Sequence, residues 1–151
     1  MIEVIVEKHA IRGKRRARRL VLQALYQWLM SGHELSEIET QFRIANNMDK
    51  VDSEYFCRLL YGIPKSLQTI EENFSPFLDI PISHLNPIEL TILRLSAYEL
   101  IFCPEIPYRV VLDEAVSLAK EYGAQDGHRF VNGVLNKLAQ QVRSAEINLK
   151  S

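Results

Sequence analysis

Residues 86–102 read NPIELTILRLSAYELIF. The first four are a helix start. Asn86 suits the N-cap, and Pro87 fits the first helical position, where its missing N–H removes no bond. Glu89 stands at the third, where a carboxylate favours the helix amino end. The residues after Glu89 are apolar nearly all round, and a helix without a polar face is one that other helices surround. The stretch therefore predicts a central, buried helix with further helices packed around it. Pro104 and Pro107 close it and open the next element.

The rest of the chain carries the 3-and-4 spacing of helices that bury one face. Ala17, Leu20, Val21, Ala24, Leu25, Trp28 and Leu29 form one stripe, on a helix expected from about Lys14 to Gly32. Leu35, Ile38, Phe42 and Ala45 form a second. Asp52 or Ser53 caps a third, with Phe56, Leu59, Leu60, Ile63, Leu67, Ile70 and Phe74 inward, and Pro64 should kink or split it. Residues 108–122 place Val111, Leu112, Ala115, Val116, Ala119 and Tyr122 together. After Gly123 and a cap at Asp126 come Val131, Val134, Leu135, Leu138 and Val142. Residues 2–6, IEVIV, lack a partner strand. The fold class expected is all-α: one domain of about six or seven helices in two packed bundles. The proline-marked connector at residues 79–87 is the expected division. Residues 1–13 read as an amino-terminal extension, 14–143 as the domain and 144–151 as a fraying tail.

At 151 residues with 47% hydrophobic side chains, the chain is long enough for one real core. No apolar run reaches the roughly 18 residues of a membrane span. No secretory signal pattern occurs, so a cytoplasmic location is expected. Cys57 and Cys103 are far apart, outside any CxxC spacing, and read as free thiols. The phosphate-loop, GxSxG, HExxH and EF-hand patterns are missing. We expect no catalytic residue, metal or cofactor, and so no enzyme.

One stretch is unexplained by packing. Residues 12–20 read RGKRRARRL, six cations in the first eight positions and no acid, in a chain whose formal net charge is −1. The remainder carries 12 basic and 19 acidic side chains, so positive potential is confined to one place. A solvated face normally interleaves both signs. Arginine outnumbers lysine five to one here, and its planar fork suits phosphate and stacks on bases. The pattern points to a polyanion, with the segment ordering on binding.

Three blocks, RRARRLVLQALYQW, NPIELTILRLSAYEL and IPYRVVLDEAVSLAKEYGAQDGHRFVNGVLNKLA, resemble in order and spacing the NusB family of bacterial transcription antitermination factors, over about residues 14–140. The resemblance implies a two-bundle helical fold. It also implies binding of single-stranded boxA RNA in nascent ribosomal RNA transcripts, together with ribosomal protein NusE. Other Nus factors and RNA polymerase are then engaged indirectly. It assigns Arg15, Arg16 and Arg18 to RNA phosphates, Gln23 to a base, and Phe77 and Phe130 to stacking. Asp126 falls at a position linked to RNA-binding strength. Tyr26, Glu89 and Arg94 match the NusE contact. Phe77 stands where the family often has tyrosine, and Arg19 where an acid can occur. Two readings compete: a helical protein-interaction module, and an RNA-binding accessory domain without an antitermination role. A homodimeric state, with the basic surface covered, stays open.

Overall fold

The computed structural model describes residues 1–149. Among them are eight α-helices and no strand, in the all-α class expected. No helix is long and apolar enough to cross a membrane among the described residues. The chain divides into two compact units, residues 1–65 and residue 66 onward, and not at the connector near residues 79–87. The division coincides with Pro64, which lies in the last turn of α3 (Ser53–Lys65) just before α4 begins at Leu67. Proline offers no N–H to the carbonyl of Leu60, so the helix ends and restarts.

The first unit is built on α1 (Ile2–Ser31), which packs on α2 (Leu35–Ala45) and α3. Ala17, Val21 and Ala24 are fully buried, as are Phe56, Leu59 and Leu60 of α3 and Ile38 of α2. A 3-10 turn, Met48–Lys50, leads into α3. Glu39 ties α2 to α3 by accepting from Tyr61 and from Arg43. Those hydrogen bonds, Tyr61's first, hold the Glu39 carboxyl below its ordinary value and push the Tyr61 hydroxyl up to about 12. Cys57 is free and half-buried, with its Sγ 3.1 Å from Arg43 Nη2.

The start of α1 differs from expectation. It begins at Ile2, not near Lys14, so residues 2–13 are helical although Ile2, Val4, Ile5, Val6 and Ile11 are exposed. Extending an existing helix is cheap compared with nucleating one, and no proline interrupts this segment. Gly13 sits inside α1 because α1 meets the chain entering α3 there. The Asp52 N–H donates to the Gly13 carbonyl at 3.1 Å. A Cβ on Gly13 would already touch Asp52 at 3.4 Å, so a longer side chain would push the two backbones apart.

The second unit holds α4 (Leu67–Phe74), α5 (Pro87–Phe102), α6 (Tyr108–Tyr122), α7 (Gly127–Val142) and α8 (Ser144–Leu149). As its sequence predicts, α5 is central: it packs on α4, α6 and α7, and every residue from Glu89 to Leu100 except Arg94 is buried. Its amino end is capped by Asn86, whose Oδ1 accepts from the N–H of Ile88 at 2.8 Å and of Glu89 at 3.3 Å. Its carboxyl end is closed by a side chain from far along the chain. Arg143, 6% exposed, donates to the carbonyls of Leu100 (2.8 Å), Cys103 (2.9 Å) and Glu99 (3.2 Å). Arg143 also pairs with Glu146 at 2.6 Å, and Glu146 accepts the N–H of Tyr108, the first residue of α6, at 2.9 Å. Helix ends leave such groups unpaired, and burial makes each one costly. Over Ser144–Leu149 the segment expected to fray is helical, while residues 150 and 151 of that tail lie outside the described residues.

This arrangement makes Arg143 a structural residue. Arg143→Met should lower the unfolding free energy of the second unit by about 2–4 kcal/mol, because the buried Leu100 carbonyl loses its donor, those of Glu99 and Cys103 keep only a backbone N–H, and Glu146 loses its cation. Arg143→Lys should recover only a minor part, since an ammonium lacks the planar fork. Urea denaturation measures both, and a loss below about 1 kcal/mol for the Met variant would refute the capping role.

Candidate nucleic-acid interface

Because α1 starts at Ile2, the basic cluster lies in the middle of a continuous helix and not at its end. Successive residues turn by about 100°, so Lys8, Arg12, Arg15, Arg16, Arg19 and Gln23 share one face. All six are exposed. No acid occurs between Lys8 and Gln23. The stripe spans about 22 Å of helix at 1.5 Å per residue. The segment is thus ordered as a helix in the unbound chain, unlike the expectation that it orders on binding. Lys8 joins the face from outside the cluster, and Arg12 and Arg19, members of the cluster, join it without having been among the residues that the resemblance assigned to RNA. The signal was available in their 3- and 4-residue spacing, once the helix is extended past Lys14.

Arg18 departs from its expected place. It is 2% exposed, and its guanidinium carbon lies 5.6 Å from the centre of the Tyr55 ring. Lys14 Nζ at 5.3 Å and Arg58 at 6.0 Å share the same ring. Lys14 also pairs with Asp52 at 3.2 Å. So Lys14 and Arg18 attach α1 to α3, whereas Arg15, Arg16 and Gln23 stand together outside. Arg16 reaches across to the carbonyl of Lys50 at 3.4 Å. Tyr26 continues the same face toward the carboxyl end of α1 and is half-buried.

The second unit carries the remaining residues. Phe77 ends a 3-10 turn, Ser75–Phe77, that packs on α7, and Phe130 lies in the first turns of α7. Both rings are half-buried, leaving part of each open to contact. Asp126, exposed, precedes α7 in a left-handed conformation (φ 64°, ψ 3°) that few residues other than glycine, Asn and Asp adopt. Its carboxylate is 3.9 Å from Arg129. The next residue, Gly127, is buried against Glu89: a Cβ there would lie 3.0 Å from the Glu89 carboxylate. A side chain there would displace the end of Glu89, so glycine leaves room for that carboxylate at the start of α7.

Glu89 itself is 9% exposed and aims its carboxylate at the start of α7, where a negative charge complements the helix dipole. Arg94 is held by Glu71 of α4, with Nη2 at 2.7 Å and Nε at 3.0 Å from the same oxygen. Each of these two residues therefore already serves the packing of its own unit. The structure does not leave either as an unengaged surface charge.

With that geometry in place, residues 15–140 match the model of the NusB family. The chain is 66% identical over 144 residues to the transcription antitermination protein NusB of Legionella pneumophila (strain Corby), spanning 95% of this chain and 98% of the relative. It is 52% identical over 134 residues to the protein of that name from Pseudomonas entomophila, spanning 89% of this chain and 81% of the relative. Among solved structures, T. maritima NusB is similar at a TM-score of 0.75 and 32% identity, covering 83% of this chain and 89% of that one. A chain from a crystal structure of antitermination factors NusB and NusE in complex with dsRNA is similar at a TM-score of 0.75 and 27% identity, covering 84% of this chain and 96% of that one.

The two sets of arginines should separate by experiment. Arg18→Ala should lower the thermal midpoint, because a desolvated cation–π contact is worth about 2 kcal/mol and its loss opens the α1–α3 seam. The pair Arg15→Ala with Arg16→Ala should leave the midpoint within the small range of surface substitutions, about 0.5 kcal/mol. Differential scanning calorimetry decides it, and equal shifts in both variants would contradict the assignment of Arg18 to the interior.

Proposed function

The chain belongs to the NusB family, and from that premise we propose that it is a transcription antitermination factor. In this reading it binds boxA-type single-stranded RNA of nascent ribosomal RNA transcripts together with ribosomal protein NusE. Other Nus factors and RNA polymerase are engaged through that assembly, in the cytoplasm, and no catalysis is involved. The observation that carries the proposal is the exposed, acid-free stripe of α1 from Lys8 to Gln23. Arg15, Arg16 and Arg19 hold phosphates, and Gln23, with both a donor and an acceptor, meets a base edge. Arg18 acts behind them, through Tyr55. In the second unit, Phe130 and Phe77 offer aromatic surface for stacking, each stack contributing about 1–3 kcal/mol. Tyr26, Glu89 and Arg94 are assigned to NusE. Of the three, Tyr26 is the most direct candidate, since Glu89 and Arg94 act from positions already engaged within their unit.

Fluorescence anisotropy of a labelled boxA RNA tests this, with a scrambled strand and a duplex as competitors, at two salt concentrations, with and without NusE. We expect selective binding that NusE strengthens. Replacing Arg15, Arg16 and Arg19 by Ala should weaken it and flatten the log–log salt slope by about 0.7 per lost single-strand contact. Tyr26→Asp should abolish the NusE effect and spare intrinsic RNA binding. Binding indifferent to sequence and to NusE would favour the interaction-module reading.

A second expectation concerns Asp126. Asp126→Asn keeps a side chain that tolerates the left-handed conformation and removes a negative charge from the RNA-facing end of α7. RNA affinity should rise with no loss of thermal stability. An affinity unchanged at low salt would place Asp126 away from the RNA.

A further inference from the structure

Between α1 and the turn that leads into α3 lies an open cleft of about 450 Å³, wholly within the first unit. Its walls include His9, Arg12 and Arg16 from α1 and Lys50 from the 3-10 turn. Two carboxylates, Asp49 and Asp52, also line it. Asp52 is already committed: Lys14 pairs with it at 3.2 Å, and its Oδ1 caps α3 by accepting from the Tyr55 N–H at 3.0 Å. Asp49 is exposed, as are the three cations, so solvent screens all four alike and the balance is three positive charges against one. Arg12, Arg16 and Lys50 therefore outweigh it. The walls are fixed relative to one another by the Asp52–Gly13 backbone bond at 3.1 Å and the Arg16–Lys50 carbonyl bond at 3.4 Å. Such a cleft is a preorganised anion seat. Its backbone walls need no ordering on binding, and it adjoins the stripe through Arg12 and Arg16, which belong to both.

We propose that this cleft binds a backbone phosphate of the RNA beyond the segment held by the α1 stripe, with Arg12 and Lys50 as its two principal cations. The proposal rests on the RNA-binding reading above and extends the track sideways, off α1 and onto the Met48–Lys50 turn. The chemistry is a phosphodiester accepted by two cations from different elements. A free phosphate offers the same atoms, but only a polynucleotide couples this seat to the stripe.

The test compares two labelled RNAs, a core boxA strand and the same strand lengthened by four nucleotides at each end. Each is titrated by anisotropy with the wild-type chain and with the double variant Arg12→Ala, Lys50→Ala. Both side chains are exposed, so the fold should tolerate the change, and circular dichroism melting checks this. We expect the wild type to bind the longer strand roughly tenfold more tightly at low salt, with a log–log salt slope steeper by about 1.4, two single-strand contacts. Because Arg12 also lies on the stripe, the double variant should bind the core strand somewhat more weakly than the wild type, and it should lose the advantage of the longer strand, so that its two affinities become equal. Ten millimolar inorganic phosphate should not reproduce the double variant's loss in the wild type. If the double variant keeps the advantage, or weakens both strands equally, the cleft is not this seat. Full suppression of the advantage by inorganic phosphate assigns the cleft to a free anion and also overturns the proposal. A wild type that binds neither strand overturns the RNA-binding reading itself, and the inference with it.

Discussion

The crossing of α1 over the chain entering α3 is the contact on which the basic surface depends. A helix with this many arginines needs an anchor that does not neutralise them. The crossing supplies one with few charges. Gly13 lets the backbones meet, Asp52 takes Lys14, and the Tyr55 ring takes Arg18. The remaining cations stay outside, at spacings of 3 and 4 residues where like charges repel by about 0.2–0.5 kcal/mol per pair. Lys8, Arg12, Arg15, Arg16 and Arg19 form five such pairs, so the unbound stripe stores roughly 1–2.5 kcal/mol of repulsion. A polyanion relieves that repulsion when it binds. The anchor must outweigh it beforehand, and a buried aromatic shared by three cations, with the packed stripe from Ala17 to Leu25 behind it, is suited to do so.

The second unit meets a different constraint. A helix buried on every side has nowhere to send its terminal N–H and C=O groups. At α5 both ends are answered by side chains: Asn86 is local, and Arg143 comes from the far end of α7. Arg143 and Glu146 then link the end of α5 to the start of α6, so three helix termini share one polar knot inside an apolar unit. The opposite end is set by Gly127 and Glu89, where α5 and α7 approach closely. Asp126, in its left-handed conformation, immediately precedes Gly127, so an exposed residue of the candidate interface adjoins that packing.

The range of each interaction decides how much of this could be read from the sequence. The burial of α5 and its Asn86 cap were legible, because periodicity and capping are local. So was the break at Pro64. The start of α1 was not, since residues 2–13 bury almost no apolar side chain and so carry no stripe to read. The role of Arg143 was equally hidden: its carbonyl partners lie 40 or more residues away, and nothing in its neighbours marks it. In the basic cluster the composition was plain but the division of labour was not. Arg15, Arg16 and Arg18 look alike in sequence. Their register differs, however: Arg18 stands three residues before Val21 and seven before Leu25, on the buried side of α1, and the Tyr55 ring of α3 receives it there. Glu89 read as the acid of a helix start, whereas the structure directs its carboxylate to the start of α7.

The unread start of α1 bears on the cluster's electrostatics. Had the helix begun at Lys14, the arginines would occupy its first turns, where the positive end of the dipole disfavours cations by about 0.3–1 kcal/mol each. Starting at Ile2 places Glu3, an acid, in the first turn and moves Arg15 more than three turns inward. The dipole penalty fades within one turn. The exposed lead thus needs no packing partner to matter. By carrying the helix past the cluster, it lets five cations and Gln23 keep one register on one face, and that shared register is what turns a run of basic residues into a track.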